Sequence, residues 1–305
     1  MKQKPYRYFL YLGAELLILV AWIIPLCVLR ALAHPFGLLI YWILPKERKR
    51  VEKHLKYAYE NELSDAELNK IAKGVFINVT TVAFEFLKMF HKKTEKLLSL
   101  VEFAPEDRDR LYNLYESEGN PSGILLSTGH FTNWDLLGAV LQAHHKNLLA
   151  VARRIYYPQF DKLMMRLRNH VGFQTVYRDE SARPILKALK SGMMVGILVD
   201  QDVDSIPGIH VNFFGKPAYS TVAIARFAMM TKSPIISIFL VREKGKYKVH
   251  LGKPHYAKEN LSKEEEPEEI RRLTQICQSE IEEHIRKYPD QWVWMHNRWK
   301  TKEVA

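Results

Sequence analysis

Beyond residue 121 the chain alternates short apolar runs rich in β-branched residues with longer stretches of helical periodicity, and this alternation restricts its fold more than any other feature. The runs are GILLST (123–128), NLLAVA (147–152), QTVYR (174–178), MVGILVD (194–200), PIISIFLV (234–241) and KYKVHL (246–251). The helical stretches cover 133–145, 158–171, 181–191, 220–231 and 264–287. Strands and helices taken in turn predict an α/β fold with a mostly parallel central sheet flanked by helices. Chemistry in such folds collects in loops that leave the carboxyl ends of strands. Residues 46–115 read as helical, with a capping box at Ser64 and Glu67. The segment NFFGKPAYST (212–221) reads as a loop that sends Phe213 and Phe214 into the core.

The N-terminus follows a different rule. Residues 9–29 form an apolar run of 21 residues, about 30 Å if helical, which matches the hydrocarbon thickness of a bilayer. A second apolar run, 31–45, contains His34, Pro35 and Gly37 and reads as an interfacial piece rather than a second span. Lys2, Lys4 and Arg7 precede these runs, and a denser group (Lys46, Arg48, Lys49, Arg50, Lys53, Lys56) follows them. The heavier basic flank predicts a cytoplasmic domain after the anchor. The expected organisation is a membrane anchor over 1–45 and one catalytic domain over 46–305, since 305 residues suit a single large core. A buried hydrophobic hairpin is the competing reading, favoured by Glu15 and Pro25 within the first run.

With 45 basic against 34 acidic side chains the formal net charge is +11, which attracts an anionic membrane, an acidic protein or a nucleic acid. No helix-turn-helix, zinc or aromatic-platform motif supports the last of these, so nucleic acid is not an expected partner. Cys27 and Cys277 have no ligand spacing around them, and the twelve histidines form no metal-binding pattern. No metal or other cofactor is expected.

The segment GHFTNWD (129–135) lies between a strand and a helix, where a site belongs. His130 and Asp135 are five residues apart, about 140° around a continuous helix, so they can meet only if His130 precedes the helix that carries Asp135. Thr132 or Asn133 is a suitable N-cap for that helix. A carboxylate that orients one imidazole nitrogen leaves the other to take a proton from a hydroxyl attacking an acyl carbon. Among twelve histidines this spacing arises by chance roughly once, so its placement carries more weight than its spacing.

GHFTNWD resembles the HxxxxD/E block of the bacterial lipid A biosynthesis acyltransferases, whose usual form is close to GHFGNWE. Further similar blocks follow in order: AVARR (150–154), RNHVGFQTVYRD (168–179), LKALKSGMMVGILVDQD (186–202), GIHVNFFGKPAYSTVAIARFA (208–228) and YPDQWVWMHNRWK (288–300). The resemblance implies a glycerol-3-phosphate acyltransferase-like fold at the cytoplasmic face of the bacterial inner membrane. It implies transfer of a fatty acyl chain from acyl carrier protein, or coenzyme A, to a hydroxyl of a membrane glycolipid such as a lipid A precursor. His130 would be the general base and Asp135 its orienting partner. Phe131, Asn133, Arg153, Arg154, Asp200 and Gln201 would contact substrate, with Arg153 and Arg154 suited to an oxyanion or phosphate. Thr132 stands where the family has Gly, and Asp135 where it has Glu, which shortens the reach toward His130. The tryptophans Trp292, Trp294 and Trp299, with His296 and Arg298, read as a C-terminal lock on the domain in preference to an interfacial belt.

Overall fold

The computed structural model describes residues 6–89, 99–116, 122–145, 147–172, 174–180 and 182–303. Lys2, Lys4 and residue 181 of the readings above lie outside them. Seven strands form the central sheet, in the order β1 (Val101–Glu102), β9 (Lys246–His255), β8 (Ile235–Glu243), β2 (Ile124–Thr128), β5 (Met194–Leu198), β3 (Leu148–Ala152), β4 (Gln174–Tyr177). Among the described residues of this sheet, only the β8–β9 pair is antiparallel. The α/β architecture with a mostly parallel sheet is therefore as expected. Alternate residues of β2 show why both faces are apolar: Leu125 joins one core cluster, while Ile124 and Leu126 join the other. Helices α5 (Pro105–Glu116), α6 (Trp134–His145) and α7 (Pro158–Val171) cover the second face. On the first lie α3 (Pro45–Tyr59), α8 (Arg183–Lys190), α9 (Ala223–Thr231), α10 (Glu266–Lys287) and part of α4 (Asp65–Met89).

The capping box forms as read: the Ser64 amide donates to Glu67 Oε2 at 2.8 Å, and the Glu67 amide donates to Ser64 Oγ at 3.3 Å. The segment 212–221 departs from expectation. It is the turn and second strand of a hairpin, β6 (Gly208–Phe213) and β7 (Lys216–Thr221), with Phe214 and Gly215 both at positive φ (56° and 70°). Two consecutive left-handed residues make a two-residue turn whose twist matches the strands. Phe213 and Phe214 are buried, as read.

The expected single span over 9–29 is divided. Helix α1 (Tyr6–Ile23) stops before Pro25, which caps α2 (Leu26–Ile43), and α2 runs straight through Pro35. Proline at an N-cap loses nothing, because the amides there have no intrahelical partner. Both helices are long and apolar enough to cross a membrane, and their outer faces, including Phe9, Leu16, Trp22, Ile23, Leu39 and Trp42, are uncovered. Their inner faces are tied to the domain by polar contacts. Lys88 of α4 donates to the carbonyls of Ala21, Trp22 and Ile24 at 2.7, 2.8 and 2.8 Å, supplying the donors that the end of α1 lacks. Arg166 of α7 pairs with Glu15 at 2.8 Å, and Arg30 of α2 with the buried Glu85 at 2.7 Å.

Helix α2 lies so close to α4 that a Cβ on Gly37 would stand 2.5 Å from the Ile77 Cα. Backbone, not a pliable side chain, would have to move. Gly37→Ala is expected to cost roughly 1–3 kcal/mol through this forced separation. Thermal melting of the detergent-solubilised protein measures it; an unchanged midpoint would show that α2 does not pack against α4.

Candidate active site

The site is built at the carboxyl ends of two neighbouring parallel strands. β2 and β5 pair in a register that places Thr128 opposite Leu198, and the Val199 amide extends the ladder to the Thr128 carbonyl at 3.0 Å. Two residues further on each strand come His130 and Asp200. His130 Nδ1 lies 2.8 Å from Asp200 Oδ1, and the His130 backbone N–H donates to Asp200 Oδ2 at 2.7 Å. Gly129 permits this approach, since a Cβ there would stand 3.1 Å from Asp200 Oδ2.

Asp200 is fully buried. Burial alone would raise its pKa, but the imidazole of His130, the hydrogen bonds from its ring and backbone, and His296 together hold the carboxyl well below the usual range. The Trp292 indole N–H completes the set at 2.7 Å from Oδ2. A carboxylate on Nδ1 makes that nitrogen the protonated one, so the lone pair of His130 is on Nε2. The ring remains partly accessible, with its side chain 18% exposed, and packs edge-on against Trp134.

His130 precedes α6, as its spacing from Asp135 requires, but Asp135 is not its partner. The Asp135 carboxylate accepts from Arg168 Nε of α7 at 2.9 Å, and both side chains are largely buried. The physical reason is the helix itself. Asn133 caps it, Oδ1 accepting from the Leu136 amide at 3.0 Å, so Asp135 sits in the first turn on the side that faces α7. Phe131 and Asn133, expected to contact substrate, both have packing partners within the protein. Phe131 is buried against Phe239, and Asn133 is buried as the cap, its Nδ2 3.6 Å from Met89 Sδ.

Thr132 adopts φ 35°, a conformation that glycine enters freely and threonine does not. Its hydroxyl donates to the Leu240 carbonyl and its amide to the Gln291 carbonyl at 2.9 Å, which hold it there. The loop that carries His130 is thus stitched to the C-terminal segment: Phe131 bridges Trp292, and the Val293 amide donates to the His130 carbonyl at 3.1 Å. Trp292 and Trp294 are fully buried, so the segment acts as a lock rather than an interfacial belt. Arg298, also fully buried, donates to the Tyr219 carbonyl, Ser220 Oγ and Gln278 Oε1.

The two arginines after β3 separate in role. Arg154 stacks on Tyr177 at 3.9 Å and pairs with Glu180 at 3.3 Å, whereas Arg153 is exposed beside Arg178 at the end of the neighbouring strand. Gln201 lies against His130 and His296, its amide nitrogen 3.1 Å from His130 Nε2 and 2.9 Å from His296 Nε2. Arg168, Trp292 and His296 were not singled out as site residues from sequence; the signal for each was its place in a block that resembles the family. Among the described residues no group of histidine, cysteine and acidic side chains is placed to hold a metal ion.

These pairings separate two acids by consequence. Asp135→Ala strands Arg168 and is expected to lower stability by roughly 3 kcal/mol, much of which Asp135→Leu combined with Arg168→Leu restores. Denaturant unfolding of the single and double variants checks this; an additive double variant would show that the two side chains do not interact.

The chain matches the family model for bacterial lipid A biosynthesis acyltransferases over residues 2–301. It is 24% identical over 302 residues to the lipid A biosynthesis acyltransferase of Haemophilus influenzae, covering 98% of this chain and 90% of that one. It is also 25% identical over 118 residues, 37% of each chain, to the phosphatidylinositol mannoside acyltransferase of Mycobacterium tuberculosis. With a match across nearly its whole length, the chain belongs to the bacterial lipid A biosynthesis acyltransferase family and is an acyltransferase.

Proposed function

We propose that the protein transfers a fatty acyl chain from acyl carrier protein to a hydroxyl of a membrane glycolipid, a lipid A precursor, at the cytoplasmic face of the bacterial inner membrane. The observation that carries this reading is the His130–Asp200 pair at 2.8 Å on a partly accessible imidazole, which leaves Nε2 as the basic nitrogen. A neutral imidazole fixed in that tautomer takes the hydroxyl proton as the oxygen attacks the thioester carbonyl, then returns it to the departing thiolate. No protein nucleophile is required. Asp200 holds the ring and stabilises the imidazolium formed during transfer.

The exposed apolar faces of α1 and α2 support an anchor over 1–45 that keeps the domain over 46–305 at the lipid surface. The net charge of +11 supports attraction to both anionic lipid and acidic acyl carrier protein. Arg153 with Arg178 offers an exposed cationic edge for a substrate phosphate, while Arg154, already paired, contributes to shaping that edge.

His130→Ala is expected to abolish transfer, and Asp200→Asn, which keeps shape but loses the fixed tautomer, to reduce kcat roughly 10²- to 10⁴-fold. Membranes containing each variant would be assayed with labelled acyl carrier protein and glycolipid acceptor; retention of wild-type rate by either would sink the general-base reading. Lipid mass spectrometry of cells with and without the gene identifies the acceptor. A change confined to a phospholipid or aminolipid would move the reading from a glycolipid to that class.

A further inference from the structure

Most of the exposed large apolar side chains among the described residues lie on α1 and α2, whose lengths fit a bilayer crossing but whose contacts do not. A helix of 18 residues is about 27 Å long, so a crossing carries one end away from any domain that holds the other. Here one domain holds both ends of each helix. On α1 the Arg7 guanidinium lies 5.0 Å above the Tyr156 ring and Tyr11 packs edge-on against Phe160, while Lys88 binds the carbonyls of Ala21, Trp22 and Ile24 at the far end. On α2, Leu29, Ala33, Gly37 and Tyr41 are buried at four-residue intervals, a single stripe along the helix. Arg30 pairs with Glu85 near its start, and the Tyr41 hydroxyl donates to Glu52 at 2.9 Å near its end. Helix α1 packs on α4 and α7, and α2 on α3 and α4, rather than along each other. A crossing by α1 would draw Arg166 and the exposed Lys162 of α7 into hydrocarbon, where charged side chains are costly. The charges of the helices themselves, Arg7, Glu15 and Arg30, all turn to the domain. In an isolated interfacial helix the polar face meets water; here the domain takes that place.

We propose that α1 and α2 lie in the plane of the membrane, sunk by their outer faces into a single leaflet, and that Ile155 and Tyr156 in the loop between β3 and α7 insert into the same leaflet. The partner is a phospholipid monolayer. The inference rests on membrane association of the anchor, not on the acyl-transfer chemistry. Ile155 and Tyr156 are exposed while the adjacent Tyr157 is buried, so the loop turns a short apolar tip outward. Arg7 and Tyr11 join that tip to α1, which makes it a continuation of the anchor surface. A tyrosine suits such a rim, with its ring among the acyl chains and its hydroxyl at headgroup level. Lys46, Lys49 and Lys53 of α3, exposed directly beyond α2, suit anionic headgroups of the same leaflet. The tip leaves the carboxyl end of β3, the edge of the sheet that also carries His130 and Asp200. A lipid of that leaflet therefore reaches this edge by lateral diffusion, without being drawn out into water.

Nitroxide labels on single cysteines measure depth directly. Phe9→Cys, Leu16→Cys and Ile23→Cys fall on one outward line along α1, and Leu32→Cys and Leu39→Cys on one along α2. Ile155→Cys reports on the loop tip. All are made in the full chain with Cys27→Ser, which removes the exposed native thiol, Cys277 being buried. The labelled proteins, checked for folding by thermal melting, are reconstituted into vesicles of phosphatidylethanolamine and phosphatidylglycerol. Depth is read from the relative access of each nitroxide to oxygen and to a water-soluble nickel chelate. The three α1 labels are expected within about 5 Å of one another in depth, about 5–10 Å below the headgroups, with the α2 pair and the Ile155→Cys label in the same range. A crossing would instead set the Leu16→Cys label about 10 Å deeper than those at Phe9→Cys and Ile23→Cys, and would overturn the proposal. Exclusion of both probes, as burial against a second copy of the chain would give, overturns it too, as does a water-exposed label at Ile155→Cys. Failure of the unlabelled wild type to bind the vesicles would instead remove the membrane association on which the inference rests.

Discussion

The buried carboxylate of Asp200 is the constraint around which this protein is assembled. Taking a charge out of water costs several kcal/mol unless donors replace the lost hydration. Here the replacements come from two distant parts of the chain. His130 supplies its ring and its backbone N–H from the loop after β2, and Trp292 supplies its indole N–H from the C-terminal segment. Neither arrives by local folding. The loop is brought by the parallel register of β2 with β5, and the tryptophan by strand-like pairing of 291–293 with 130–132. Folding of residues 291–298 is therefore part of fixing the His130 ring, which accounts for a segment that buries Trp292 and Trp294 and is closed by the fully buried Arg298.

The residues of this arrangement were visible in the sequence, but their partnerships were not. The block around His130 stood out because a strand-like run precedes it and a helix-like run follows. Asp200 stood out at the end of another such run. That His130 would choose the acid 70 positions away over the acid five positions away depends on strand order, which periodicity does not encode: β2 and β5 are neighbours although β3 and β4 lie between them in sequence. Periodicity located six strands because alternate side chains enter two cores. It missed β6 and β7 because their turn uses Phe214 in a left-handed conformation, where the usual sign would be asparagine or aspartate before glycine. A single span over 9–29 joins α1 to α2 by treating Pro25 as an interruption, whereas it is the cap from which the second helix starts.

The N-terminal helices complicate a simple picture of an anchor on a leash. Their outward faces are apolar, yet the inward faces carry polar groups that the domain satisfies: Glu15 by Arg166, Arg30 by Glu85, and the final carbonyls of α1 by Lys88. Glu85 in turn accepts from Tyr247 of β9, which also accepts from Arg242 of β8. A continuous polar path thus runs from α2 through α4 into the sheet. The helices are consequently held at a set orientation, and the floor between them and the site, lined by Leu26, Met89, Asn133 and Leu136, is nearly closed.

The same orientation fixes the place of Asp135. Five residues after a histidine in a loop is the place where this capped helix turns its first carboxylate toward the next helix, not back toward the loop. Asp135 spends its charge on Arg168 and so fastens α6 to α7, while Asn133 fastens the start of α6 to α4 through Met89. A loop held at its front by Asp200 and Trp292, and at its back by Asp135 and Asn133, cannot shift the imidazole without breaking a buried polar contact. The shorter Asp in place of the family's Glu is compatible with this role because the reach is supplied by arginine. The five-residue spacing is then a property of a helix start, and the acid that holds the His130 ring comes from the strand that the sheet places beside it.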